Sequence, residues 1–400
     1  MTNTILTATA VTREALRVLH QKLNFVGSIT RDYDDSFATK GAKIGDTLKV
    51  RLPNQYSVRT GATIDVNNTV EDNVELKVQT QKGVDMNFTS DELTMDLDDF
   101  SERILEPAMS VLAANIEADS LSMYKDVYNQ VNNTGSAATT AILGESRKKL
   151  VDNLAPGNGR VLQLNTQDNL DLVEAMKALF HRGDTIAKQQ REGMVGSTTS
   201  YGDVYENTLL VPHARGAADG NYDVDTTALS ASSETAVTSL AFITGTGTKL
   251  EGDIFTVATL YRVHPESKVS TGALQQFVVT ADAASGANSV SISPSIITAG
   301  PKQNVTIVSA SATATVTFAG TASASHGISL AYQKGAFAFA TADLVMPKGV
   351  DFAAREVFDG ISMRIVRDYD INNDKFPCRI DVLYGYKTLR AQLATRLANR

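Results

Sequence analysis

Between Val269 and Gly327 only Asp282 and Lys302 carry a formal charge. A tract so poor in charge, and broken up by Gly, Ser and Asn, has few ways to fold. It lacks the polar face of an amphipathic helix, and its apolar residues alternate instead, Val305 with Ile307 and Val316 with Phe318. Period two buries one face of a strand. Turn signals recur at the spacing of a small β barrel or sandwich. The all-β segment begins where composition shifts, at Gly216-Ala-Ala-Asp-Gly220, and runs to about Gly327. Patterned sequence resumes beyond it with Leu330, Tyr332 and the Ala-Phe repeat of residues 336–341. The segment is therefore expected to be inserted into another domain rather than appended. Its Ser, Thr and Ala content also suits disorder or a fibrous adhesin, but the alternation favours strands and no internal repeat is visible.

Upstream, Ala15, Leu16, Val18, Leu19 and Leu23 fall near helical spacing, and the polar run Thr30–Ser36 ends that helix. Alternation follows at Leu48, Val50 and Leu52 and again at Val74, Leu76 and Val78. The polar stretch Pro53–Asp72 between them is far longer than a hairpin turn needs. Residues 40–90 thus read as a long two-stranded arm. An isolated hairpin is marginal in water, so support from another subunit is expected.

A long helix is expected next, with Leu105, Met109, Leu112, Ile116, Met123, Val127 and Val131 on one face. Pro107 must lie at its start or kink it, and Asn132-Asn-Thr-Gly135 stops it. Residues 145–213 read as α/β. Helices are expected at Ser146–Asn153 and Gln167–Phe180, and strands at Val161–Leu164 and Thr208–Pro212. After the insertion come strands at Ile361–Val366 and Cys378–Tyr384, then a helix from Thr388 to Asn399.

Little chemistry emerges. The five histidines are scattered without ligand spacing, so neither a structural metal site nor a cofactor is expected. The single cysteine, Cys378, alternates on a strand and reads as core. Asp368, Asp370, Asn372 and Asp374 have the alternation of a calcium loop. Asn373 and Arg379, however, stand where that loop needs Gly and Glu, which leaves a polar turn as the better reading. Gly245-Thr-Gly-Thr-Lys249 falls short of a phosphate loop and reads as a turn. No catalytic constellation is present, and an enzyme is not expected. The N-terminus lacks the form of a signal peptide, and no apolar run is long enough to span a membrane. A net charge of −8 argues against binding driven by nucleic acid.

Charge is nevertheless unevenly placed. Lys40, Lys43, Lys49, Arg51 and Arg59 gather on the arm, and Asp96, Asp98 and Asp99 precede the long helix. Each run suits a solvated face equally well. As a functional pair, the basic arm of one subunit would lie over the acidic helix start of its neighbour, with charge setting the orientation.

The segments Gly45–Ile64, Asp98–Asp119, Leu250–Lys268, Leu330–Leu344 and Arg364–Arg390, in this order and spacing, resemble the coat proteins of tailed bacteriophages. These share the Hong Kong 97 fold, and the likeness is to the P22-like podovirus group, whose members carry an inserted β domain. The resemblance implies an α+β capsid fold with a barrel-like insertion. It implies an N-arm (1–35), an extended E-loop (36–92) and a P-domain spine helix (93–135) completed by strands in 340–386. An A-domain (136–213), the insertion or I-domain (214–328) and a return to the A- and P-domains (329–400) complete it. It implies a major capsid protein assembling into hexamers and pentamers of an icosahedral procapsid. The partners implied are a scaffolding protein, a portal, packaged DNA by proximity and in some members a decoration protein. Assembly would take place in the host cytoplasm, leaving the protein in the virion head. An encapsulin-like cargo cage of the same fold is the nearest alternative. No Lys–Asn cross-link pair is assignable.

Overall fold

The structure is a computed structural model that describes residues 8–31, 47–56, 58–59, 61–64, 71–88, 105–176, 201–218, 222–227, 229, 233–286, 289–358, 360–371 and 375–400. In chain order the elements begin with α1 (Ala8–Lys22), α2 (Phe25–Ser28), β1 (Thr47–Arg51), β2 (Asn73–Lys77), β3 (Thr80–Phe88) and α3 (Glu106–Leu121). Then come β4 (Gln130–Asn132), α4 (Thr140–Asp152), β5 (Arg160–Leu164), α5 (Thr166–Met176), β6 (Asp203–Glu206) and β7 (His213–Ala214). Strands follow almost without break: β8 (Tyr222–Val224), β9 (Val237–Ala241), β10 (Ile254–Val263), β11 (Ser270–Val279), β12 (Ser289–Ile296), β13 (Val305–Ile307) and β14 (Ala314–Phe318). The last six strands are β15 (Ser325–Gln333), β16 (Phe337–Ala342), β17 (Phe352–Phe358), β18 (Ile361–Arg367), β19 (Phe376–Thr388) and β20 (Ala394–Asn399). The fold is mixed α+β and mostly β.

The chain divides into two compact units. The first comprises Met1–Arg51, Asn73–Ser122 and Phe337–Leu389. Its five-stranded sheet runs β16-β19-β18-β17, with β3 also on β19. Ala15, Leu16 and Leu19 of α1 are fully buried or nearly so, and α1 packs on α3 and β17. Pro107 stands in the first turn of α3, where its missing N–H costs nothing. Ala108, Met109, Leu112, Ala113 and Ile116 then form the buried stripe. Glu117 lies in that stripe at 2% exposure, and its carboxylate accepts the N–H of Phe25 at 2.5 Å. Asp119 accepts the hydroxyl of Tyr384 on β19 (2.5 Å) and the ammonium of Lys82 on β3 (2.7 Å).

The arm is shorter than its alternation suggests. β1 and β2 pair antiparallel from Thr47↔Lys77 to Arg51↔Asn73, but beyond Val78 the chain crosses to β19, with Thr80 opposite Tyr384. The root of the arm is fixed because Val50 and Leu76 bury themselves against Ala338 and Leu389.

The second unit comprises Leu52–Asp72, Met123–Ala336 and Arg390–Arg400. A six-stranded sheet runs β4-β20-β15-β5-β6, with β7 also on β15. Two expectations fail around it, for one reason. The long helix ends at Leu121 and tightens into a 3-10 turn over Ser122–Asp126, and the expected helix Thr388–Asn399 is the strand β20. Met123, Val127 and Val131 keep helical spacing. However, Asn129 accepts the N–H of Arg396 at 2.8 Å and its amide donates to Ala394 O at 3.1 Å, which commits this segment to pairing beside β20. β20 is buried along its whole length between β4 and β15, and such burial overrides the helix preference of its Ala and Leu residues. Its end is tied down by buried Asp168, which accepts from Ser329 (2.5 Å) and Asn399 (2.8 Å). The strand expected at Thr208–Pro212 is also absent. Asn207 Oδ1 accepts the N–H of Leu209 (2.9 Å) in a local turn, and strands flank the segment on either side.

The insertion is built from β8 to β14 in the order β8-β14-β10-β11-β12-β9, with β13 also on β10. An antiparallel bridge, Val224↔Phe242, joins the first strand to the chain just beyond the last, so the ring of pairings closes. Closure removes the free edges that would otherwise invite aggregation. Inside lie Tyr222, Phe242, Phe255, Phe277 and Phe318, with ring centroids 5.3–5.8 Å apart around Phe255. The Gly245–Lys249 run is a turn. Gly245 has φ +101, and a Cβ there would meet the Tyr222 ring at 2.3 Å. Only glycine fits. Lys249 is buried with its ammonium 4.6 Å from the Tyr222 ring centroid, a cation–π contact. Asp370 bridges to Lys375, while 372–374 of the acidic turn lie outside the described residues.

Truncating the centre of this aromatic cluster, Phe255→Ala, is expected to cost about 3–5 kcal/mol, measured as the change in urea unfolding free energy.

Candidate assembly surface and the root of the insertion

The arm carries three of the basic residues picked out by sequence. Lys49 faces Glu75 across the β1–β2 ladder at 3.5 Å, and both side chains are exposed, so the pair stabilises little. Arg51 stands opposite Asn73 at the end of that ladder. Arg59 turns back on its own loop, donating to the carbonyls of Gly61 and Thr63 (3.1 Å to the latter). Lys40, Lys43, Asp96, Asp98 and Asp99 lie outside the described residues. What the charges obscured in the sequence is apolar. Tyr56, Val58 and Ile64 are 65%, 94% and 76% exposed on the same loop. Large apolar side chains this exposed on one loop suit a contact surface. The Tyr56–Val58 alternation in a polar stretch was the only trace of them.

A second constellation was not legible. β7 and β15 carry the chain into and out of the insertion, and they pair antiparallel with His326 opposite His213. The two imidazoles meet edge to face at 5.5 Å. His213 Nε2 lies 3.1 Å from Asp253 Oδ1, and its Nδ1 lies 3.3 Å from the Tyr124 hydroxyl. One assignment satisfies every group: Nε2–H donates to the carboxylate and Nδ1 accepts from the tyrosine. Asp253, 1% exposed, also accepts the N–H groups of Gly216 (3.1 Å) and Leu250 (2.9 Å). Gly252 beside it has φ +96, and a Cβ there would come within 2.9 Å of the His213 ring.

Arg396 of β20 is fully buried under this group. Its Nη2 donates to Gly252 O at 2.7 Å, and its guanidinium lies 5.8 Å from the Tyr124 ring centroid. Its Nε and Nη1 have no protein partner among the described residues. Burial lowers the Arg396 pKa to about 10. Burial, followed by His213 and Arg396, pushes His326 down to about 4, so its imidazole is neutral near pH 7. Arg215, next along from β7, donates to Ala218 O (2.5 Å) and Gly320 O and stacks on Phe318.

An Asp–His–Tyr line of this kind invites a catalytic reading, but its members are shut away from substrate, with His213 at 4% exposure and Asp253 at 1%. It fastens the neck of the insertion. Cys378 is buried and its thiol is pushed up to about 11, which leaves little thiolate at neutral pH. Among the described residues no cluster of His, Cys, Asp or Glu has the form of a metal site, and no helix is long and apolar enough to cross a membrane.

A family profile described as "P22 coat protein - gene protein 5" matches residues 207–395, just under half the chain. The match begins ahead of β7 and spans the insertion, its neck and the returning sheet. Comparison with curated proteins finds no match. Among solved structures, the chain is similar to one from Mycobacterium phage Che8, at 12% identity and TM-score 0.48, covering 94% of this chain and 90% of that one. It is also similar to the capsid of Cyanophage P-SCSP1u (9%, 0.39, 90% and 84%) and to a virus-like particle from Pyrococcus furiosus (6%, 0.41, 97% and 97%). These values are too low to carry an argument, which rests on the family match. That match supports a shell-forming structural protein, a major capsid protein of a tailed bacteriophage. Within that class it resembles the P22 coat protein.

Two predictions concern the neck. Asp253→Ala leaves three buried donors unpaired and is expected to cost about 3–5 kcal/mol in denaturant unfolding. His326 has its folded pKa below the ordinary 6.5, so the unfolded chain binds the extra proton between pH 6.5 and 4. Its contribution is therefore full above pH 6.5 and falls away towards pH 4, by at most about 3 kcal/mol. His326→Gln is expected to flatten that part of the stability–pH curve, measured against the unsubstituted protein.

Proposed function

We propose that the chain is the hexamer- and pentamer-forming subunit of a Hong Kong 97-type procapsid, built on a scaffolding protein and later filled with DNA through a portal. The 207–395 match to the P22 coat protein family carries this reading. In it, α1 and α2 belong to the N-arm, and β1–β3 with the loop between β1 and β2 belong to the E-loop. α3 is the spine of the P-domain, and the six-stranded sheet is the A-domain. β8–β14 form the I-domain, which stabilises the subunit through its neck. No step of this role requires catalysis.

The physics of a shell supports the arrangement. Each subunit must bind several copies of itself through closed, symmetric contacts. Individually weak contacts permit correction during growth, and their number gives the final stability. The exposed Tyr56, Val58 and Ile64 supply apolar area for a neighbour, with the basic residues of the arm orienting it. At −8, the subunit neutralises few phosphates and does not hold packaged DNA fast.

The test is assembly. The chain with its scaffolding partner is expected to give uniform closed shells in negative-stain electron microscopy. A small stable oligomer with or without scaffold would overturn the proposal, and shells formed without any scaffold would favour a self-assembling cage. The double substitution Val58→Asp, Ile64→Asp falls on exposed side chains and is expected to change subunit stability by less than about 0.5 kcal/mol while abolishing closed shells.

A further inference from the structure

A cleft of about 430 Å³ opens between α4 and the strands β10 and β11. Its walls carry three cations, Lys148 and Lys149 from α4 and Arg262 from β10, against two carboxylates, Glu145 and Asp152. Asp152 is taken up by Arg262 at 3.2 Å. The Lys149 ammonium donates to a neutral acceptor, Gln276 Oε1, at 2.8 Å. That amide is itself fixed: Gln276 Oε1 also accepts Gln130 N–H (3.0 Å), and Gln276 Nε2 donates to Gln130 O (3.0 Å). Arg262 Nε is buried without a protein partner among the described residues.

The cleft is thus built rigidly but under-neutralised. Burial, then Arg262, hold Lys149 down at about 8, and Lys148 acts in the same direction, while Glu145 and Asp152 only partly compensate. A bound oxyanion relieves this repulsion, accepting from Lys149 and using the spare donor capacity of Arg262. The half-exposed Leu274 adds an apolar wall, and the volume exceeds that of a bare tetrahedral anion.

We propose that this cleft is an oxyanion site that takes a phosphate group and clamps the insertion to α4. An anion beside Lys149 raises its basicity, so binding takes up protons around pH 8 and weakens as pH rises further. Shell assembly does not require this site, and it stands whether or not the chain forms closed particles.

The experiment is amine labelling of the full chain at pH 7, at constant ionic strength set with chloride, read peptide by peptide by mass spectrometry. Inorganic phosphate is expected to slow labelling of Lys149 about tenfold, from a pKa rise of about one unit, while half-buried Lys302, paired with Asp72 away from the cleft lining, is unaffected. A short DNA duplex forms a second arm. Protection by duplex at phosphate concentrations where inorganic phosphate fails identifies a nucleic-acid phosphate as the source. Lys148→Gln, at an exposed position, is expected to raise the half-protecting phosphate concentration about fivefold without unfolding the protein. Equal labelling of Lys149 in chloride, phosphate and duplex would overturn the proposal. So would protection that Lys148→Gln leaves unchanged.

Discussion

The second unit depends on a two-residue ladder. β7 meets β15 with His213 opposite His326, and through this contact the chain leaves one sheet, builds a closed ring of six strands with β13 added on β10, and returns to the same place. A long insertion costs little loop-closure entropy when its ends are adjacent, because that cost grows only with the logarithm of length. The remaining difficulty is rigidity. A ring hung on two short strands would swing unless its neck were fixed. Buried Asp253 supplies the fixing by accepting from His213, Gly216 and Leu250 together, while Arg396 reaches up from β20 to Gly252. On its far side, Gln276 and Lys149 join β11 to β4 and α4. The neck is polar because backbone from several strands converges there, and buried backbone groups need partners.

Much of this architecture was legible in the sequence. The Val316–Phe318 alternation and the scarcity of charge pointed to strands where β11–β14 lie, and the pattern that resumes at Leu330 falls on β15. Pro107, readable as either a start or a kink, lies in the first turn of α3, and Cys378 is buried as expected of a core residue. The errors cluster where a residue's partner is distant. Val131 and Leu397 satisfy helical spacing equally well as strand residues, and only the pairing of β4 with β20 decides between the two. The second half of the arm, Thr80–Phe88, alternates like the first, yet its partner is β19 and not β1. Periodicity reports which face is buried but not against what.

The functional features divide in the same way. The basic residues of the arm were visible, but Lys49 and Arg59 are engaged locally, and Tyr56, Val58 and Ile64 on the loop of Arg59 are exposed. The neck was invisible because its members, Tyr124, His213, Asp253, His326 and Arg396, are spread across the chain with no shared spacing. Scattered histidines had looked inert. Two of them became neighbours only because the strands on either side of the insertion pair. A coat subunit has reason to be built this way. Its outer contacts must be numerous and individually weak, so its own rigidity has to come from within, and the buried hydrogen bonds of Asp253 and Arg396 at the neck provide it.

The proposed subunit closes into an icosahedral shell through its arm. The most direct measurement is a cryo-electron microscopy reconstruction of particles assembled from the full chain. The prediction is an icosahedral lattice in which Tyr56, Val58 and Ile64 of each subunit are buried against a neighbour while the insertion keeps its closed ring of strands. Particles in which those three side chains face solvent would contradict it.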